Sequence, residues 1–135
     1  PRWEAVSYDL LGSVPAARCK HTATLMPMLH RDGEPLAMLI FGGVGEDLRA
    51  RNDLYEFDFT QLLWRESDAA GVPPAPRKGH AACTLFNQLL AVFGGSDSTH
   101  DQGPIMYDDT HLLDLRRNTW MQPSVVGIDK PARRG

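Results

Sequence analysis

The chain has 135 residues, of which 42% are hydrophobic and 23% are charged, and its formal net charge is -3. This composition is typical of a soluble globular protein, and the length fits one domain with a modest core. The negative charge argues against a general attraction to nucleic acid or to anionic lipid. The longest apolar stretch, Leu36 to Phe41, is far too short to span a bilayer.

Cysteine is scarce, with only Cys19 and Cys83 in the chain. A disulfide scaffold is normally much denser in cysteine, and the sequence has no Asn-x-Ser/Thr glycosylation site. These features favour a reducing, intracellular compartment, so we expect a cytoplasmic protein that binds neither nucleic acid nor membrane.

Residues 18–76 predict four short strands after a leading segment, 1–17, in which Trp3 indicates one further outer strand. Short apolar stretches separated by turn residues are typical of an all-β fold. The hairpin between the first two strands contains Asp32-Gly33, a favourable turn pair. The predicted strands are His21 to Leu29, Leu36 to Phe41, Leu54 to Phe59, and Trp64 to about Ser67.

Residues 77–132 predict the same four strands a second time. Asn87-Gln88 offers a tight turn between the first two, and the second ends at a pair of glycines. The predicted strands are His80 to Phe86, Leu89 to Phe93, His111 to Leu115, and a last strand that Trp120 opens. Residues 133–135 begin a third copy.

The two units form an internal repeat, which spacing supports. Arg18 and Arg77 are 59 residues apart, and Arg77 and Arg133 are 56 apart. Between its histidine and its Gly pair the first copy has seven extra residues, and between the Gly pair and its tryptophan it has four fewer. Two insertions therefore explain the whole difference. The matching segments are Arg18 to His21 with Arg77 to His80, Phe41 to Gly43 with Phe93 to Gly95, Asn52 to Asp58 with Asp108 to Asp114, and Trp64 with Trp120.

The repeat resembles the kelch repeat over nearly the whole chain. The residues that carry the resemblance are Pro74-x-x-Arg77-x-Gly79-His80, Val92-Phe93-Gly94-Gly95, Asp109 to Asp114, and Trp120. Three positions depart from the pattern: Lys20 replaces a glycine, His111 replaces an aromatic residue, and Ala132 stands where Pro76 stood in the preceding copy.

The resemblance implies a β-propeller segment of about two four-stranded blades plus one extra strand. We expect it to belong to a larger propeller of about five to seven blades, with the remaining blades on the same longer chain. Closure by a homo-oligomer is the alternative. The repeated residues are expected to be structural: Arg18, His21, Gly42, Gly43, Trp64, Arg77, His80, Gly94, Gly95 and Trp120.

In kelch proteins the loops between the second and third strands often line the ligand-binding face. Here these loops carry arginines in the first copy and acids in the second, Asp108 and Asp109 among them. We expect a mixed-charge surface that selects a protein partner, against the alternative of a solvated loop. The candidate partner-binding residues are Arg49, Arg51, Asp97, His100, Asp101, Met106 and Tyr107.

Residues 30–35 extend the first hairpin and are either a docking finger or a tolerated insertion. The histidines His30, His100 and His111 match no zinc spacing, so we expect no metal and no cofactor, although His100-Asp101 leaves a weak ion site as an alternative.

The sequence shows no Ser-His-Asp set and no Gly-rich phosphate loop, so we expect no catalytic residues. We expect a non-enzymatic protein-interaction module of an intracellular adaptor, scaffold or substrate receptor. Two alternatives remain open. One is an enzyme whose reactive groups lie on other blades, and the other is a structural component of a cytoskeletal or ciliary assembly.

Overall fold

A computed structural model describes residues 1–7, 12–98 and 103–123. Those residues form ten β-strands, and none of them belongs to a helix that could cross a membrane. The strands are β1 Thr22–Pro27, β2 Leu36–Phe41, β3 Leu54–Asp58, β4 Leu63–Glu66, β5 Ala81–Leu85, β6 Leu89–Phe93, β7 Ser96–Asp97, β8 Ile105–Met106, β9 Thr110–Asp114 and β10 Thr119–Met121.

Two four-stranded antiparallel sheets carry the fold, as the repeat predicts. The first blade has the order β1-β2-β3-β4 and the second the order β10-β9-β6-β5. In both blades the apolar run that ends at the Gly pair forms an inner position of the sheet with the predicted bounds. Both strands are paired on both edges. Most of β2 is buried, whereas β6 alternates between half-buried and buried residues because one face of the second blade is uncovered among the described residues.

The core lies between the two blades. Phe41 and Leu39 of β2 pack against the second blade, which contributes Leu90, Val92 and Trp120. Side chains that stand opposite one another in neighbouring strands share a face, so Leu54, paired with Phe41, joins this layer. Neither sheet can bury both of its faces alone, and stacking is therefore what stabilises each blade.

The first strands of the two blades run side by side. The Gly79 amide donates to the Lys20 carbonyl at 3.0 Å, and the His80 ring lies 3.0 Å from the Thr22 hydroxyl. The first strands of the two blades are therefore in direct contact, as expected for strands near a propeller axis.

The two edges of the paired blades differ in what they carry. The rim edge holds the arginines that begin each repeat and the connections 42–53 and 94–109, of which 99–102 lie outside the described residues. The opposite edge holds the turns 28–35, 59–62, 86–88 and 115–118.

The insertion at residues 30–35 packs against the second blade. The His30 Nδ1 atom lies 3.0 Å from the Leu115 carbonyl of the second blade, while Arg31 forms a 3.0 Å ion pair with the buried Glu56 of the first blade. Met28, just before the insertion, is part of the inter-blade core. The segment is thus a bridge across the seam between the blades on the opposite edge.

Three features of the fold differ from expectation. Residues 1–7 form no strand and Trp3 is fully exposed, because an outer strand pairs with the third strand of its own blade and 1–7 have no such neighbour among the described residues. The turn between β5 and β6 is centred on Phe86 and Asn87, one residue early. Finally, β7 and β8 pair as a short ribbon, and strands of two residues leave no periodic pattern to detect.

Candidate binding surface

At the rim edge of the first blade, the Arg18 side chain binds Asp53 and the Gly42 carbonyl. We call this contact, and its copy formed by Arg77, Asp109 and Gly94, the arginine clamp. Arg18 donates to both carboxylate oxygens of Asp53, at 2.5 and 3.1 Å, and to the Gly42 carbonyl at 3.1 Å. Its Nε atom also donates to the Ala16 carbonyl at 3.2 Å. The bidentate geometry uses the planar fork of the guanidinium, which lysine does not provide.

The second blade repeats the clamp contact for contact. Arg77 donates to Asp109 at 2.7 and 3.1 Å, to the Gly94 carbonyl at 2.9 Å and to the Ala75 carbonyl at 3.0 Å. Its side chain is 0% exposed. The same carboxylate also contacts His111 at 2.9 Å. All three nitrogens of the repeated guanidinium therefore donate hydrogen bonds within the same repeat or to the segment just before it, and the clamp is architectural.

The glycine pairs allow the chain to turn tightly beside the repeated histidines. Gly43 has a φ of 90°, and a Cβ atom there would lie 2.8 Å from the His21 Cβ. Gly95 has a φ of 87°, and its Cβ would lie 2.9 Å from the His80 Cβ. A side chain at either position would be strained and would also displace the neighbouring strand.

The repeated residues also connect the blades. The Gly43 amide donates to the Arg77 carbonyl at 2.9 Å, and the Arg77 amide donates to the Arg51 carbonyl at 3.0 Å. The His80 ring packs edge-on against Phe41 at 5.3 Å between centroids, so this histidine is buried in the seam, whereas its counterpart His21 is exposed.

The buried position of His80 predicts a pH dependence. Burial, assisted by the Arg77 charge, lowers the pKa of His80 from 6.5 to about 4. An unfolded chain would protonate this ring near pH 6.5, while the folded chain resists until pH 4, so stability falls as the pH drops through that window. We expect the urea midpoint to decline between pH 6.5 and 4, and His80→Asn to flatten this decline. An unchanged slope in the variant would assign the effect to another group.

The two repeated tryptophans occupy different surroundings. Trp120 is buried in the seam with its ring 5.4 Å from that of Phe41 in the neighbouring blade. Trp64 lies on the far face of the first blade, 5.0 Å from Phe57 of the same sheet. That face has no second sheet among the described residues, which is why Trp64 stays partly exposed.

The first rim loop contains a turn, residues 47–51, that the Asp47 carboxylate stabilises. We call it the braced turn. Asp47 accepts from the Arg49 amide at 3.1 Å and from the Arg51 guanidinium at 3.2 Å. At its apex Leu48 has a φ of 60° and is 75% exposed, and Arg49 next to it is exposed as well. A cavity of about 380 Å³ adjoins the turn, lined by Ala16, Ala17, Glu46, Asp47 and Arg51.

Arg51 is therefore a different kind of residue from Arg49. Its guanidinium is paired with Asp47, and its backbone carbonyl links the two blades. The sequence predicted the two arginines as equivalent partner-binding charges, and the structure separates an exposed cation from a half-buried brace.

Among the described acids of the second rim loop, Asp97 and Asp109 do not present a free carboxylate at the surface. Asp97 lies in the β7–β8 ribbon and is only 4% exposed, and its contact with a partner stays a prediction. Asp109 is held in the clamp. Burial alone would raise the pKa of Asp109, but hydrogen bonds from Arg77 and His111 lower it to about 2.

Two of the remaining predicted rim residues, Met106 and Tyr107, lie in or beside the ribbon. Tyr107 covers the Arg77 guanidinium at 4.2 Å, and Met106 is half-buried in β8. Burial, with the nearby Asp97 charge, raises the pKa of Tyr107. His100 and Asp101 lie outside the described residues, so the ion-site alternative at these positions stays untested. No group of three or more potential metal ligands occurs in residues 1–7, 12–98 and 103–123.

Sequence reasoning missed two parts of this surface. The clamp acids Asp53 and Asp109 follow their arginines by 35 and 32 residues, a difference that equals the net insertion between the copies. That matched spacing is a signal that could have identified them. Leu48 had no such signal, because a lone apolar residue in a loop carries no pattern.

The fold and the arginine clamp define a class of protein: stacked four-stranded blades, each with an arginine that binds an aspartate of the same repeat. The chain belongs to the kelch-repeat family: residues 2–135 match the KLHDC2/KLHL20/DRC7 Kelch-repeats domain.

Named relatives are similar to most of this chain. Acyl-CoA-binding domain-containing protein 4 of Arabidopsis thaliana is 35% identical over 113 residues, covering 80% of the chain and 16% of that protein. Host cell factor of Drosophila melanogaster is 33% identical over 113 residues, 74% of the chain and 8% of that protein. Dynein regulatory complex subunit 7 of Chlamydomonas reinhardtii is 36% identical over 92 residues, 67% of the chain and 8% of that protein. The chain thus spans only a small part of each relative.

Proposed function

We propose that this chain is a protein-interaction module of an adaptor, scaffold or substrate receptor, and that it binds its partner through the rim edge. The observation that carries the proposal is the braced turn at Asp47. It holds Leu48 and Arg49 outward beside a cavity, although an exposed leucine with a positive φ contributes nothing to the blade itself. An apolar tip flanked by a cation on a rigid scaffold is suited to recognising another protein.

The division between repeated and unrepeated residues supports this proposal. Most residues that recur in both blades are engaged in the clamp or the seam, as Arg77 and His80 illustrate, whereas His21 and Trp64 of the first blade are not. The two rim loops, by contrast, differ in length, charge and local structure. A partner that reads the rim would therefore depend on loop residues and not on the repeated ones.

Reversing the charge of Arg49 tests the rim. In the full-length protein that contains these repeats, Arg49→Glu is expected to reduce recovery of the bound partner several-fold in quantitative affinity capture. Leu48→Ser should act in the same direction. The free energy of unfolding should change by less than about 0.5 kcal/mol in either variant, because neither side chain is buried.

Two further variants serve as controls for this experiment. Arg2→Glu makes the same charge change at an exposed position outside the rim and should leave recovery unchanged. Arg51→Glu would place an acid beside Asp47 and disturb the turn. A fall in the free energy of unfolding in this variant would show that Arg51 stabilises the turn, and would distinguish that role from direct contact with the partner. Full recovery of the partner by both Arg49→Glu and Leu48→Ser would remove the rim turn from the proposal.

The open faces of the two blades support a second element of the proposal, that further blades complete the propeller. Trp64 and Phe57 lie on the far face of the first blade, and Phe93 lies on the far face of the second, at the position that Phe41 occupies in the seam. We place the remaining blades on the same longer polypeptide, with a homo-oligomer as the alternative. The mass of the native polypeptide distinguishes them: about 15 kDa would require association, and about 40 kDa or more would provide the blades in one chain.

A structural role in a large assembly is the second candidate function. It is favoured by the similarity to a protein named dynein regulatory complex subunit 7. A structural component would co-purify with its assembly at fixed stoichiometry through high-salt washes. An adaptor would exchange its partner when an excess of competitor is added.

A further inference from the structure

A proline-rich connector, residues 72–78, joins the two blades at the rim edge. Its sequence is Val-Pro-Pro-Ala-Pro-Arg-Lys, and none of these residues has a positive φ. Proline fixes its own φ at about −65°, and a residue that precedes a proline is restricted to extended conformations. Three residues of the connector each precede a proline: Val72, Pro73 and Ala75. The connector is therefore held close to the conformation of a polyproline II helix.

The connector packs on the blades through residues that are three positions apart. Pro74 and Arg77 are buried, whereas Val72 is 81% exposed. The other side chains are exposed or half-buried: Pro73, Ala75, Pro76 and Lys78. Because a polyproline II helix has about three residues per turn, positions three apart share a face. One face of the connector thus contacts the protein, and its other two faces stay accessible.

The connector lies over the seam between the blades and not on either outer face of the pair. The Pro74 carbonyl accepts a hydrogen bond from the Asn52 side chain of the first rim loop at 3.2 Å, and Arg77 is clamped in the second blade. A cavity of about 250 Å³ beside Pro73 is lined by residues of both blades, Trp120 among them. Further blades that stack on the outer faces would therefore leave the connector accessible.

The buried face of the connector is repeated in the first copy. Pro15 and Arg18 occupy the positions of Pro74 and Arg77, and both are half-buried between exposed neighbours. The same spacing of three therefore anchors the segment that precedes each blade. The buried proline and the clamped arginine are accordingly architectural.

The accessible residues of the connector are not repeated. The first copy has other residues at these positions: Val14 for Pro73, Ala17 for Pro76, and Cys19 for Lys78. The first blade folds with these replacements. The two accessible prolines and the lysine are therefore features of the second copy that the blade itself does not require.

The accessible residues match a ligand pattern for proline-recognising domains. The connector contains two pairs of an apolar residue followed by proline, Val72-Pro73 and Ala75-Pro76, and then the cation Lys78. A groove of the SH3 type contacts two adjacent faces of a polyproline II helix, with aromatic pockets for the two pairs and an acidic pocket for the cation. The positions that such a groove leaves uncontacted are Pro74 and Arg77, which are the two residues buried against the blades.

We propose that residues 72–78 are a docking site for an SH3-type domain. The blades hold the connector in its bound conformation, so little conformational entropy is lost on binding. The site lies on the rim edge but uses other residues than the braced turn. It therefore does not depend on the partner proposed for Leu48 and Arg49.

The test uses the full-length protein, a synthetic peptide of residues 71–79, and a purified SH3 domain that selects a cation after the second proline of its ligand. Isothermal titration calorimetry should show saturable binding of both. The full-length protein should bind at least as tightly as the peptide, because its connector is already ordered. Binding of the peptide without binding of the protein would overturn the proposal, since it would mean that the folded connector is inaccessible.

A double variant provides the matched control. Pro73→Val/Pro76→Ala gives the connector the residues of the first copy, so the melting temperature should fall only slightly while SH3 affinity falls by about tenfold. Lys78→Gln should weaken binding several-fold and reduce its dependence on salt. Equal affinity of the wild type and the double variant would overturn the proposal, as would the absence of measurable binding to the full-length protein.

The braced turn supplies the variant that keeps the two proposals distinct. Arg49→Glu should change SH3 affinity by less than about twofold, although it is expected to reduce capture of the rim partner. A loss of SH3 binding in Arg49→Glu as large as that in Pro73→Val/Pro76→Ala would contradict a separate site on the connector. Failure of either proposal can thus be recognised without the other.

Discussion

Replacing Trp120 with alanine is expected to lower the free energy of unfolding by about 3–5 kcal/mol. Its indole is buried between the blades, packs on Phe41 of the first blade at 5.4 Å, and belongs to the core that holds the sheets together. Removing it would leave a cavity at the seam. Urea unfolding followed by circular dichroism measures the loss.

A conservative substitution at Trp120 distinguishes the stability that comes from its aromatic contact with Phe41 from the stability that comes from the volume it fills. Trp120→Phe keeps an aromatic ring facing Phe41 and should cost clearly less than the alanine substitution. A loss below about 1 kcal/mol for Trp120→Ala would show that this residue is not part of the inter-blade core.

Replacing Arg77 with alanine is the second substitution for which we expect a large loss, about 3–5 kcal/mol. The side chain is fully buried and donates to Asp109, Gly94 and Ala75. Without it, the Gly94 carbonyl loses its donor, the Asp109 carboxylate keeps only its contact with His111, and Tyr107 loses the group it packs on. Equilibrium urea unfolding again provides the measurement.

A double-mutant cycle identifies the cause of this loss. Arg77→Ala and Asp109→Ala should be strongly non-additive, since each removes the same pair. Arg77→Lys keeps the charge but loses the fork geometry, so it should recover only part of the stability. Additive losses in the cycle would mean that packing, and not the ion pair, sets the contribution of Arg77.

The architecture could be predicted closely because its signals are local and occur twice. The strands Leu36–Phe41 and Leu89–Phe93 have the bounds expected from apolar runs that end at a Gly pair. The repeat spacing located the four strands of each blade. The ribbon of Ser96–Asp97 with Ile105–Met106 was missed, because two-residue strands are fixed by hydrogen bonds between distant residues.

The candidate site was predicted less well, for an identifiable reason. The sequence placed Arg49, Arg51 and Asp97 in rim loops but could not assign their contacts. Arg51 is half-buried and pairs with Asp47, four residues before it, and Asp97 is 4% exposed within the β7–β8 ribbon. Charge in a loop indicates exposure only when no partner lies close in space.

The sequence by itself determined the repeat, the kelch family and the order of strands, since these depend on residue type and spacing along the chain. Only the tertiary structure decided which side chains are free. It engaged Arg77 with Asp109 and left Arg49 and Leu48 exposed. The physical reason is that exposure and pairing depend on distances across strands and between blades, which residue spacing alone does not specify.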